Sequence, residues 1–427
     1  MIRRLVEKKT GCVSIVESCL AAIDAREQDI RAWVLVDRDE ARRQATNLDT
    51  ELSAGYCRGP LHGIPVGIKD IINVVGLPTV ADYRPWRHRI AETDAELVRR
   101  LRLAGAVIIG KTQTTQFASY DPSPTRNPHH SDRTPGGSSS GSAAAVAAKM
   151  CLGAVGTQTG GSINRPAAFC GVCGFKPSYD AVPFDGIVPL APSLDHAGPI
   201  AGCVSDIAYL ADVLIGKTEG SFASNAAAGI GQPPRFSRLP DLFDVHADGE
   251  SIAVLDRSTE IFERDGATVI DTPLPPIFAD IVAAHGLIMD YEAATFHRQR
   301  FEEDPAEFQP NITRQINRGL ATSNTDYTAA LQKMAGAKEA AAELFSSCDA
   351  WLAPATVGEA PGLETTGNPV MNSPGSFLHL PAINLPVSVS KNGLPLGIQL
   401  IGNKNDDGEL IAIATWAEQQ LKSAFQD

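Results

Sequence analysis

Two runs of small residues and one lysine hold the chemical potential of this chain. Gly136-Gly137-Ser138-Ser139-Ser140-Gly141-Ser142 is followed, 24 positions after Ser138, by Gly160-Gly161-Ser162. Glycine loses more backbone entropy on folding than any other residue and packs no side chain. Paired Gly-Gly-Ser turns are therefore poor core material. They suit a backbone that turns tightly and brings its N–H groups close to a bound molecule. Upstream, Lys69 stands in the apolar run Val66 to Ile72. Burial there disfavours its ammonium form, and a neutral lysine can accept a proton. One lysine and two turn serines are the parts of a Ser–Ser–Lys nucleophilic site.

These residues need elements to hold them. Val13, Val16, Cys19, Leu20 and Ile23 recur on a helical period and predict a helix over 12–26. A charged helix over 38–52 completes a helical N-terminal layer. Lys69 falls in a glycine- and proline-punctuated strand at 62–72. A helix over 94–104 stops at Gly105, and 106–111 reads as a buried strand. Residues 142–152 read as a buried, alanine-rich helix. Ser138 and Ser162 stand ahead of helices over 142–152 and 163–168, where a serine can act as N-cap. Residues 217–240, rich in Gly, Ala, Ser and Pro, read as a surface excursion or lid. Helices follow near 251–265 and 325–345. Two apolar strands, 380–389 and 396–401, flank the hairpin signal Asn392-Gly393. This alternation predicts an α/β fold: one large domain over 1–427 with a central mixed β-sheet and helices on both faces. Residues 1–60 form the helical layer, 63–205 the core with the candidate residues, and 206–427 the rest of the core and the pocket elements.

Bulk properties narrow the classes. Of 427 residues, 43% are hydrophobic, enough for a large core. The net charge of −13 argues against non-specific nucleic-acid binding, which needs a basic face. Eight cysteines are too sparse for a disulfide scaffold. The pair Cys170-Gly171-Val172-Cys173 lacks a second C-x-x-C at zinc spacing, and none of the nine histidines forms an H-x-x-x-H or H-E-x-x-H pair. No metal and no cofactor are expected. Glu7, Lys8 and Lys9 interrupt any early apolar leader, and no stretch of 18 apolar residues exists. The expectation is a reduced, cytoplasmic protein without membrane or nucleic-acid partners, with homodimerisation left open.

The two serine runs, through to Gly174-Phe175-Lys176-Pro177, resemble the amidase signature family. Matches flank them: Gly63 to Asp70, Gly110-Lys111-Thr112, Ser193-Leu194-Asp195 with Gly198-Pro199, and Gly393 to Gln399. The resemblance implies a Ser–cisSer–Lys triad: Ser162 as nucleophile, Ser138 on a cis peptide as bridge, and Lys69 as base. It places the oxyanion hole on the backbone N–H groups of Thr159, Gly160, Gly161 and Ser162. Ser138 would pass the proton of Ser162 to Lys69 and later return it to the leaving amine.

Two positions depart from the commonest family pattern. Gln158 stands where many members have Asp, and Arg falls at Arg165 rather than at Asn164. Both features resemble the malonamidase-like branch, where the arginine holds the free carboxylate of a small acyl substrate. Arg165 and Gly137 are accordingly the candidate substrate-binding residues. The alternative for Arg165 is a structural ion pair with Asp195 or Asp185. The expected function is hydrolysis of a small or medium carboxylic amide through a serine acyl-enzyme. Competing readings are the catalytic subunit of a glutamine-dependent tRNA amidotransferase, or a carbamate, ester or urea-type hydrolase on the same residues. A non-enzymatic binding module would not need all three groups.

Overall fold

The computed structural model describes residues 10–217 and 221–424. The leader reading at residues 1–9 and part of the lid reading, 218–220, lie outside them. Eleven strands form one mixed sheet: β1 (Trp33–Val36), β2 (Pro65–Lys69), β3 (Val107–Thr112), β4 (Gly153–Gln158), β5 (Cys173–Lys176), β6 (His196–Ala201), β7 (Arg235–Arg238), β8 (Thr268–Asp271), β9 (Ala350–Pro354), β10 (Ala382–Val389) and β11 (Pro395–Ile401). Their spatial order is β1-β3-β2-β4-β6-β5-β10-β11-β9-β7-β8. β2 runs parallel to both β3 and β4, while β6 is antiparallel to β4.

Alternation along the central strands explains the layers. Val107 and Ile109 on β3, and Ala154 on β4, pack into a core with the helices Cys12–Ile30, Arg38–Ser53 and Ser140–Ala147. Ile108 and Val155, one position away, face the opposite core with the helix Val204–Ile215. Successive strand residues point to opposite faces, so a sheet covered on both sides buries every position and its central strands are mostly apolar. β2, β3 and β4 are indeed buried throughout. The helix Ser140–Ala147 lies close against the sheet. A side chain at Gly141 would collide with the backbone of Ala32 and Gln113, which is why a small residue stands there. Among the described residues no helix is long and apolar enough to cross a membrane.

Several expectations need correction. The alanine-rich helix ends at Ala147, five residues early, and Lys149 turns left-handed at φ 60° before β4. Residues 221–240 carry a helix and a strand rather than running as an open loop. The Asp212 carboxylate accepts the N–H groups of Phe222 and Ala223 at 2.6 and 3.1 Å, starting a helix over Phe222–Ala228. That helix packs on the C-terminal helix Asp407–Ala424, and β7 joins the sheet with Phe236 fully buried. The helix Ile281–Glu303 had no sequence signal. It buries His285, Asp290, Glu292 and His297 among its apolar residues, while Val282 and Phe296 face out. No single apolar stripe marks it.

Candidate active site

Lys69 ends β2 and Gln158 ends β4. Because these strands are parallel neighbours, with Ile68 level with Val155, both ends open at one edge of the sheet. The C-terminal ends of parallel strands are where such sheets bind ligands. The Thr159–Ser162 turn leaves β4 there. The Gly136–Ser139 segment reaches the same edge, and its Gly137–Ser138 peptide is cis. Ser139 N–H donates to the Ser162 carbonyl at 3.3 Å, tying the two serine runs together. The Ser139 hydroxyl clips β4, accepting Thr157 N–H and donating to Thr157 C=O, both at 3.2 Å. Neither Ser138 nor Ser162 caps a helix. The first serine helix begins after Ser139, and the N–H groups following Ser162 are capped by the Gln158 side chain.

The edge brings the predicted residues together. Lys69 Nζ lies 2.7 Å from Ser138 Oγ and 2.8 Å from Thr157 Oγ1. Lys69 and Ser138 are 0% exposed and Ser162 is 7% exposed, so solvent reaches this group from the Ser162 side. No hydrogen bond joins the two serine hydroxyls directly among the described residues. Lys69 has no carboxylate within 4 Å among those residues. Burial drives its pKa well below the ordinary lysine value, and the charge of Asp195 opposes that shift. Asp195 is itself pushed up to about 7 by burial, against the hydrogen bonds from Thr159 Oγ1 and the N–H groups of Leu190 and Ala191.

Behind Lys69, the adjacent Asp70 forms a buried ion pair with Lys111 at 2.8 Å. Lys111 Nζ also donates to Pro78 C=O and Thr79 Oγ1, and Asp70 accepts Val80 N–H at 3.1 Å. The pair holds the 78–81 loop against the end of β2. Lys111→Met would leave the Asp70 carboxylate buried and unpaired, which costs about 3–5 kcal/mol. A thermal or urea melt is expected to show that loss, and Asp70→Asn combined with Lys111→Met is expected to recover part of it.

In the turn, the N–H groups of Thr159, Gly160, Gly161 and Ser162 donate to no protein group among the described residues. The carbonyls face the other way: Thr159 C=O accepts from His285 Nε2 at 2.9 Å and Gly160 C=O from Ser376 Oγ at 2.9 Å. N–H groups left free beside a serine hydroxyl can stabilise an oxyanion.

Arg165 follows the turn and is 1% exposed. Its Nη2 donates to Gly137 C=O at 2.8 Å and Thr366 Oγ1 at 3.3 Å. Nε and Nη1 are buried without a partner among the described residues. No carboxylate lies within 4 Å of the guanidinium among the described residues, so the ion pair with Asp195 or Asp185 does not form; Asp195 binds Thr159 instead. Burial lowers the Arg165 pKa to about 10, with Tyr120 acting in the opposite sense, and the group stays charged at neutral pH. Gly137 contributes its carbonyl, and a side chain there would press on Thr366 at 2.8 Å.

Sequence reasoning missed Thr157, His285, Thr366 and Ser376. Thr157 was recoverable, because strand pairing sets it beside the end of β2. The others come from distant segments without motifs. Cys170 and Cys173 are buried free thiols, and no cluster of three or more His, Cys, Asp or Glu suited to a metal occurs among the described residues.

The amidase family pattern matches residues 14–411, a span holding every residue of this edge. The chain belongs to the amidase family. It is an amidase signature hydrolase, an enzyme of carbon–nitrogen bonds. The A subunit of glutamyl-tRNA(Gln) amidotransferase from Lachnospira eligens is 31% identical over 464 residues, covering 98% of this chain and 96% of its own. A crystal structure of an amidase shares 32% identity and a TM-score of 0.89, covering 98% of each chain. The peptide amidase of Stenotrophomonas maltophilia shares 27% identity and a TM-score of 0.82, over 98% of this chain and 96% of the other. Family membership also accounts for the fold, since these amidases superimpose over nearly their whole length.

Proposed function

We propose that the enzyme hydrolyses a small or medium carboxylic amide through an acyl-enzyme on Ser162, with Ser138 and Lys69 as proton carriers. The observation that carries this reading is Lys69: fully buried, unpaired with any carboxylate among the described residues, and 2.7 Å from Ser138 Oγ. A neutral Nζ keeps one lone pair for a proton while an N–H donates to Thr157 Oγ1. As Ser162 Oγ attacks the amide carbon, its proton passes to Ser138 and the Ser138 proton to Lys69. The carbonyl oxygen, now negative, faces the N–H groups of residues 159–162. Collapse of this intermediate expels the amine, which takes the proton back along the same path. Water then repeats the sequence on the ester and frees the acid.

Arg165 supports a preference for acyl groups with a free carboxylate, as in the malonamidase-like branch. Two buried donors without partners among the described residues suit a planar carboxylate. Gly137 belongs to this subsite through the carbonyl that anchors Arg165 Nη2. Arg165→Ala is expected to lower kcat/KM for a malonamate-like amide about ten- to a hundred-fold, the scale of a charge-assisted hydrogen bond. A neutral amide of the same length should keep its rate. Equal losses for both substrates would remove the carboxylate role.

The amidotransferase relatives favour a second reading, in which the chain is a catalytic subunit that works with partners. Ammonia release by the purified single chain from a panel of amides separates the two. Turnover of simple amides supports the stand-alone enzyme; activity only with glutamine and further subunits supports the other. The same panel with carbamates, esters and ureas tests the remaining chemistries. Eight free thiols support a reducing, cytoplasmic setting.

A further inference from the structure

We propose that His285, Ser376 and Gln158 are positioning residues that aim the oxyanion turn by gripping it from behind; the proposal rests on the hydrolase reading of Ser162. A trans peptide is planar, and its N–H points away from its C=O. A group that holds the carbonyl of one residue therefore aims the N–H of the next. His285 Nε2 donates to Thr159 C=O at 2.9 Å and so aims Gly160 N–H. Ser376 Oγ donates to Gly160 C=O at 2.9 Å and so aims Gly161 N–H. Two consecutive glycines leave the backbone unrestrained by any Cβ, and nothing in their own side chains can hold those planes.

The grip continues beyond Ser376. Its hydroxyl has one proton, which goes to Gly160 C=O, and its oxygen then accepts from Gln158 Nε2 at 3.2 Å. The other end of the Gln158 amide accepts Ile163 N–H at 2.8 Å and Asn164 N–H at 3.0 Å, the two residues after Ser162. One side chain thus holds the turn on both sides of the nucleophile. A carboxylate at 158 could accept those N–H groups but could not donate to Ser376. Gln158 is in this respect specific to the present arrangement. Gln158, His285 and Ser376 are 1%, 3% and 0% exposed, so no water competes for these bonds. Asn372 closes the remaining side: a side chain on Gly161 would lie 2.7 Å from its Oδ1.

The test compares Ser376→Ala with Ser376→Thr, and His285→Leu with His285→Gln, each second variant keeping a donor. Two readouts are taken: kcat and KM on an amide, and the rate at which a fluorophosphonate labels Ser162. Ser376→Ala and His285→Leu are expected to lower kcat and the labelling rate about ten- to a hundred-fold, with KM changed less than about two-fold. The donor-keeping variants should recover most of the loss. Wild-type rates in both truncated variants would overturn the proposal, as would equal losses in truncated and donor-keeping variants. If Ser376→Ala fails to fold, the His285 pair decides by the same criteria. A wild-type enzyme that is never labelled at Ser162 overturns Ser162 as the nucleophile, and this proposal with it.

Discussion

Ser162→Ala is expected to lower amide turnover by about four orders of magnitude or more, the scale on which serine hydrolases lose activity with their nucleophile. Ser162 alone of the three candidate groups is reached by solvent, and it alone adjoins the turn whose N–H groups have no partner among the described residues. A fluorophosphonate should therefore label Ser162 in the wild type and nothing at this edge in the variant. Labelling at Ser138, or near-full activity of the alanine variant, would displace Ser162 from the role. Tight binding of substrate by the inactive variant is compatible with the assignment, because the N–H groups and Arg165 remain.

Lys69→Met is expected to lower kcat about 10²- to 10⁴-fold, the contribution of a general base. It should also make the protein more stable. Burial holds the folded-state pKa of Lys69 well below its ordinary value, whereas the unfolded chain keeps the value near ~10.4. Between those two values the unfolded state binds the extra proton. Stability therefore rises with pH across that window, and below it the lysine is a net cost to the fold. Methionine removes the cost, so the gain in melting temperature should be largest at low pH and fade above pH ~10.4. Wild-type kcat should rise with pH through the same depressed ionisation. A variant with unchanged stability at pH 6, or a wild-type profile that rises only near the ordinary lysine value of ~10.4, would show that Lys69 is not held neutral.

The elements that sequence revealed were those whose burial follows one rule. The helix at residue 12, the strands at 107 and 395 and the helix at 324 carry regular apolar patterns, and their starts lie within two residues of the expected ones. The helix Ile281–Glu303 packs against other helices with histidine and carboxylate side chains inside, so its pattern dissolves. Residues 221–240 have the composition of a loop, yet Asp212 and Phe222 fix them through contacts invisible in their own stretch. The meeting of Lys69, Ser138 and Ser162 at one edge was legible because glycine-rich turns and a lysine in an apolar run are unusual, whereas Arg165 was picked out by the family resemblance alone. The absence of an ion pair on Arg165 among the described residues was not legible, since it depends on which groups the Asp195 oxygens already bind.

The grip on the turn has a further consequence for biosynthesis. Gly160 is 216 residues from Ser376, and Thr159 is 126 from His285. A nascent chain long enough to contain Lys69, Ser138 and Ser162 still lacks the parts that orient the Gly-Gly segment. Closing contacts of such separation is slow, because the chain entropy is lost before the contact is gained. Competence for catalysis would then arrive only with the last third of the polypeptide. An unfinished or clipped chain would carry a reactive serine with nothing to direct it, harmless to the amides around it.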